Sequence, residues 1–132
     1  MNRFQAVITE IASEGSLHIV TFDFGGTRLR MMSLELQEEV KVGAEVVLTI
    51  KSTYIALAKS FSGEVSYTNL IPAVVVAVRQ GRLLSSVLLN ASGYRLESIL
   101  TRDAAARMRL GSGEEVTLLV KASELSILEV LG

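Results

Sequence analysis

Residues 113–121 read "GEEVTLLVK", and residues 43–51 read "GAEVVLTIK". Five positions are identical at a spacing of 70: Gly43/Gly113, Glu45/Glu115, Val46/Val116, Leu48/Leu118 and Lys51/Lys121. A glycine, an aliphatic run and then a lysine followed by small residues describes a strand entered from a turn and left at a charged end. Met once, such a run says only "strand". Met twice, it asks whether the chain is a duplication, and the answer fixes the fold.

Working outward, the match continues towards the N-terminus at a spacing of 67. Residues 2–32 laid on 69–99 give eight identities: Asn2/Asn69, Ala6/Ala73, Val7/Val74, Leu17/Leu84, Val20/Val87, Gly26/Gly93, Arg28/Arg95 and Leu29/Leu96. The apolar pattern agrees as well, and a single three-residue gap reconciles the two spacings. The chain reads as two copies of one unit.

Each copy is mostly strand by its alternation of apolar and polar residues. The first predicts strands at 4–11, 17–24, 28–32, 46–50 and 55–58, with "SEGS" and "FGGT" as turns. The second predicts strands at 73–78, 83–90, 94–100, 116–120 and 125–130, with Gly81 and "ASGY" as turns. Between the third and fourth strands, "TRDAAARMRLGSG" offers Thr101 as a helix N-cap, Asp103 in the first turn and Gly111 as a stop. The shorter "LELQEEVKVG" of the first copy is also helix-like. Five strands with one short helix after the third is the order of an OB-type barrel. The expected fold is therefore all-β: two tandem OB-like five-stranded barrels, each with one short helix, over residues 1–62 and 63–132. Each copy is small for an independent core, so burial between copies is expected to matter.

Composition narrows the function. The chain has 132 residues, 49% hydrophobic and only 5% aromatic, so its core must rest on Val, Leu, Ile and Ala. Thirteen basic and fourteen acidic side chains leave a net charge of −1. No long-range basic field gathers nucleic acid, and any anion site must be local. Four Phe, three Tyr and no Trp offer a poor stacking platform for a single strand. Zero cysteines exclude disulfides, thiolate metal sites and a Cys nucleophile. The first fifteen residues lack the apolar core of a signal peptide, and "LIPAVVVAV" is too short to span a bilayer as a helix. A cytoplasmic protein without membrane insertion is expected.

An enzyme is not expected. His18 is the only histidine, and Ser85 stands at its place in the second copy. Glu38-Glu39 and Glu114-Glu115 read as solvated faces rather than a cation cage. The glycines of "FGGT" and "ASGY" sit where hairpin turns are needed and lack the Lys-Ser/Thr of a phosphate loop. What remains is the repeated strand end, Lys51-Ser52-Thr53 and Lys121-Ala122-Ser123. Alone, each is a solvated strand end. Repeated, they suggest an oxyanion site in which lysine supplies a compact charge and hydroxyl and main-chain donors complete the shell.

The second copy resembles the molbindin (Mop) family, the molybdate-binding members of the TOBE-type domains. The resemblance rests on "SYTN" (Ser66–Asn69) and on "ILTRDAAARMRLGSGEEVTLLVKAS" (Ile99–Ser123). It implies OB-like barrels, trimers, and molybdate or tungstate as the bound ligand, held largely at domain or subunit interfaces. Position by position it assigns oxyanion binding to Lys121, Ala122 and Ser123, with Ser66 and Asn69 from the opening motif. Lys51, Ser52, Thr53 and Asn2 are the first-copy equivalents. Thr68 stands where the family has its arginine, and Met1 holds that place in the first copy; Arg3 is one position away. The function expected is reversible molybdate or tungstate binding for storage, buffering or delivery, with a possible protein partner in molybdenum uptake or cofactor assembly. The alternative is a regulatory protein-interaction module of the same fold with weak or lost anion binding.

Overall fold

The inward face of the first strand, β1 (Asn2–Glu14), is Asn2, Phe4, Ala6 and Ile8; the residues between them are exposed. In β6 (Asn69–Gln80) the same places are Asn69, Ile71, Ala73 and Val75. This period of two buries one side of each strand. The computed structural model describes residues 2–132, and Met1 lies outside the described residues.

Ten strands form two five-stranded OB-like sheets. The other strands are β2 (Leu17–Phe24), β3 (Thr27–Ser33), β4 (Glu45–Ile50), β5 (Ala56–Ala58), β7 (Leu84–Ala91), β8 (Tyr94–Thr101), β9 (Glu115–Val120) and β10 (Ser126–Val130). Short 3-10 turns at Ser52–Tyr54 and Ala122–Glu124 follow the two lysines. Each long first strand carries a bulge, between Ile8 and Glu10 in β1 and between Val75 and Ala77 in β6. There the first copy makes Gly43 N to Ile8 O at 2.8 Å and Ile8 N to Ala44 O at 2.9 Å. The second makes Gly113 N to Val75 O at 2.8 Å and Val75 N to Glu114 O at 2.9 Å. Gly43 and Gly113 enter these contacts at φ +92° and +88°, a region that disfavours a side chain, which accounts for the glycine that opens both repeats.

The two sheets exchange their last strands. The first runs in the order β10-β4-β1-β2-β3 and the second β5-β9-β6-β7-β8. Ala56 pairs with Leu119, and Ser126 pairs with Thr49, the same pair displaced by 70 residues. Each 3-10 turn carries the chain out of its own sheet, and the next residue, Ile55 or Leu125, is buried at 1% and 2% exposure. Ser98 Oγ of β8 donates to Ile55 O at 2.7 Å and fixes that exit. Each expected fifth strand therefore forms, but against the other copy. A single continuous apolar cluster spans both copies, and the aromatic chain Phe4–Phe24–Tyr94 crosses between them with centroids 4.6 and 5.7 Å apart.

The helix of the second copy, α1 (Arg102–Met108), forms as expected. Thr101 Oγ1 caps it, accepting from Ala104 N at 3.2 Å. It ends one turn before Gly111, at Arg109, whose φ is 50°. Its last carbonyls, of Met108 and Arg109, accept from Lys59 Nζ of the first copy at 2.9 and 3.2 Å. The same ammonium pairs with Glu114 at 2.6 Å, and this contact holds the Glu114 carboxyl below its usual range. Glu114 is thus an ion-pair partner rather than a free solvated face.

The helix expected in the first copy is absent: residues 34–43 are irregular, with turns at 38–39 and 42–43. Ser33 Oγ, the would-be cap, is engaged two residues on, donating to Glu35 O and accepting from Glu35 N at 3.3 Å. That local loop competes with helix initiation. A turn closed by Val40 N to Gln37 O at 3.1 Å takes its place and buries Val40.

Candidate lysine-segment sites

Asn2 and Asn69 begin the two long strands, each opposite the residue that precedes a lysine: Asn2 pairs with Ile50 and Asn69 with Val120. Both side chains are buried, at 3% and 1% exposure, and both reach into the other copy. Asn2 Nδ2 donates to Ile50 O at 3.0 Å and to Glu97 O at 2.9 Å, while its Oδ1 accepts from Glu97 N at 2.7 Å. Asn69 Nδ2 donates to Arg30 O at 3.0 Å, and its Oδ1 accepts from Arg30 N at 2.7 Å. Arg30 and Glu97 are themselves 67 apart, so the two clamps are one arrangement made twice. Asn2 has spent both its donors and its acceptor on the backbone. Its geometry is that of a structural pin between the copies.

Beside each clamp lies a lysine segment. The 3-10 turn Ser52–Tyr54 packs on β8, and the turn Ala122–Glu124 packs on β3. Lys51 and Lys121 are exposed at the strand ends, and the Lys51 ammonium lies 5.4 Å from the Tyr54 ring centroid. Glu124 occupies the Tyr54 position in the second copy; its carboxylate accepts from Lys121 N at 3.3 Å. Thr53 is exposed, Ala122 half-buried, and Ser123 lines a cleft of about 230 Å³ with Met31, Ser33 and Gln37 of the first copy. Ser66 and Thr68 are exposed in the join before β6. Arg3 points away from the Asn2 face, as strand alternation requires, and stands opposite Thr49. A groove of about 790 Å³ passes the two hairpin tips and includes no residue of either lysine segment.

The two segments face different charges. Ser52 Oγ donates to Glu97 Oε1 at 3.1 Å, and Ser86 Oγ donates to Glu97 Oε2. These bonds, that from Ser86 foremost, hold the Glu97 carboxyl below its usual value against the opposing effect of burial; Arg79 adds to the lowering. In the second copy Ala122 replaces Ser52, and Arg30 stands at the position that matches Glu97, its Nε donating to Thr21 Oγ1 at 3.4 Å. Repeat reading passed over Arg30 and Glu97 because they are not identical. Their shared spacing of 67 was the signal available.

Because Glu97 binds its proton less readily folded than unfolded, its contribution to stability is complete above the ordinary carboxyl value of 4.5. It fades as pH falls through the lower folded value. Glu97→Gln should therefore flatten the acid limb of stability against pH, as read from urea midpoints between neutral and strongly acidic pH. An acid limb identical to wild type would show that Glu97 gains nothing from its two serines.

His18 Nδ1 lies 2.6 Å from Ser13 Oγ, but the two are a cross-strand pair on an exposed hairpin. Among the described residues no cluster of His, Cys, Asp or Glu is arranged to hold a metal ion, and no helix is long and apolar enough to cross a membrane.

Comparison with known proteins places this geometry. Residues 66–127 match the TOBE domain family. The molybdenum import ATP-binding proteins ModC of Brucella abortus (strain 2308) and Brucella suis biovar 1 (strain 1330) are 27% identical over 105 residues, 79% of this chain. The chain spans 28% of the length of those relatives. A crystal structure of the cytoplasmic molybdate-binding protein ModG, with molybdate bound, superposes with a TM-score of 0.88 over 96% of this chain and 94% of that one, at 24% identity. That likeness establishes the tandem OB-like fold. Residues 66–127 are thus similar to TOBE domains, and the residues before them repeat the same unit.

Proposed function

We propose that this chain binds molybdate reversibly, without catalysis, and serves in the cytoplasm to store, buffer or deliver it; tungstate is the other ligand of matching shape and charge. The observation that carries this reading is the pair of lysine segments, each folded as a 3-10 turn against the other copy of a TOBE-type fold. A tetrahedral dianion needs positive charge and several donors converging from different directions. Lys51 and Lys121 supply the charge, and the hydroxyls of Thr53, Ser66 and Ser123 are the donors in this reading, with Ser52 available only if it leaves Glu97. Asn2 and Asn69 hold the strand ends in place, and Arg3 is too far round β1 to join its neighbour. The proposed division is into tandem units at 1–62 and 63–132, and the proposed assembly is a trimer in which subunit interfaces complete the sites. Support comes from ModG, whose structure contains molybdate.

Calorimetric titration with molybdate, tungstate and sulfate tests this. Molybdate and tungstate should give saturable heats at micromolar concentration, with sulfate markedly weaker. Absence of heat with the first two would reject oxyanion binding. It would leave the second reading, a regulatory module that contacts another protein, which the similarity to import ATP-binding proteins favours.

A further inference from the structure

The two lysine segments are built on one plan but are not chemically equal, and the inequality sits at a single pair of positions. Residues 30 and 97 occupy the same place in β3 and β8, each held by two hydrogen bonds with the asparagine of the other copy. One is an arginine and the other a glutamate.

Around the first-copy segment, Ser52 has a single hydroxyl proton and gives it to Glu97. Ser86 gives its proton to the other oxygen of the same carboxylate. An oxyanion arriving beside Lys51 would meet the Glu97 charge and one hydroxyl already committed, while the positive charge of Arg79 acts on Glu97 itself. Around the second-copy segment the corresponding side chain is a guanidinium. Its one hydrogen bond among the described residues is the long contact from Nε to Thr21, which leaves its two terminal nitrogens available. Glu124 is the acid of that turn, and its carboxylate is engaged by the turn's own Lys121 amide. Ser123 is exposed there with its hydroxyl unspent. The Asn69 clamp holds the Arg30 backbone beside Val120, the residue before Lys121, so the other copy carries a forked arginine next to a segment whose opening motif has Thr68 instead.

We infer that positions 30 and 97 decide which lysine segment accepts an oxyanion: Arg30 with Lys121 and Ser123 forms the competent site, and Glu97 closes the Lys51 segment to dianions. Arg30 donates in a fixed, planar geometry suited to two oxygens of one tetrahedral anion. Glu97 acts by like-charge repulsion and by consuming the Ser52 proton. This inference rests on the oxyanion-binding reading above, and its test is arranged so that the two fail differently.

The measurement is molybdate bound per chain, by equilibrium dialysis and native mass spectrometry, on wild type, Glu97→Gln, Glu97→Arg and Arg30→Gln, with a thermal melt confirming that each variant folds. Wild type should bind one equivalent per chain. Glu97→Gln and Glu97→Arg should each add a second equivalent, and Arg30→Gln should lower affinity for the first at least tenfold. The pair of Glu97 variants guards against one of them failing to fold. Two equal equivalents in wild type, or an unchanged count in both Glu97 variants, or full affinity in Arg30→Gln, would overturn the inference while leaving molybdate binding standing. No molybdate bound by any of the four proteins would overturn the binding reading and this inference with it.

Discussion

Asn2→Ala should destabilise the folded chain by about 3 kcal/mol, more than any other single substitution outside the apolar core. Removing the carboxamide leaves Glu97 N, Glu97 O and Ile50 O without their partner in a site where water has little access. An orphaned buried polar group costs about 1–3 kcal/mol, and partial relaxation keeps the total near the lower sum. Asn69→Ala removes two bonds, both to Arg30, and should cost about 2 kcal/mol on the same scale. Asn2→Asp is a sharper probe than alanine. It keeps the shape and the acceptor for Glu97 N but loses both donors and places a buried charge against two carbonyls. It should be at least as harmful as alanine. Urea unfolding of the three variants reads all of this, and losses under about 0.5 kcal/mol would show that solvent replaces the clamp.

Cutting the chain after residue 62 should abolish folding of both pieces and yet be reversible by mixing. Residues 1–62 would retain β1 to β4 but carry β5 with nothing to pair against, and would lack β10 on the exposed edge of β4. Residues 63–132 would carry β10 without β4 and expose the edge of β9 that β5 covers. Each half also loses its share of one continuous core. A unit of this size is marginal even when intact, and these halves are not intact. Neither fragment should show a cooperative melt by circular dichroism, whereas an equimolar mixture should recover the wild-type spectrum and a single transition. A stable, cooperatively melting fragment 63–132 would mean that β10 can fold back onto its own sheet.

How far the sequence discloses this molecule follows from what kind of information each feature uses. The strands were readable because alternation is local: the expected 17–24 is β2 to the residue, and 116–120 lies within β9. The helix at Arg102–Met108 was readable because its cap, acid and alanines are contiguous. The helix-like composition of residues 34–43 does not disclose that Ser33 turns its hydroxyl to Glu35, a local contact that competes with a helix. The strand exchange was hidden for a different reason. A short strand such as Ala56–Ala58 carries nothing in its own residues that names its partner, and either copy of the β4 or β9 edge would accept it. The lysines stand out by identity, but the residues that distinguish the two segments, Arg30 and Glu97, share only their spacing of 67. Only the asparagine clamps bring them beside the lysines. Those asparagines, matched to a binding motif, turn out to spend their polar atoms on the backbone.

The hairpin tips record what duplication demanded afterwards. Gly25 and Ser92 are the same position in the two copies, both at positive φ, 54° and 48°, and they touch each other. A Cβ on Gly25 would lie 2.8 Å from Ser92 Oγ. A residue that meets its own counterpart across a two-fold relation has no freedom to grow on both sides at once. Two identical serines would collide there, while two glycines would leave the junction loose. Once both halves reside in one gene, the position can hold a different residue on each side, so that one side fills the space the other leaves. Fusion thereby released this contact from self-complementarity, a freedom that a symmetric pair of single-copy chains does not have.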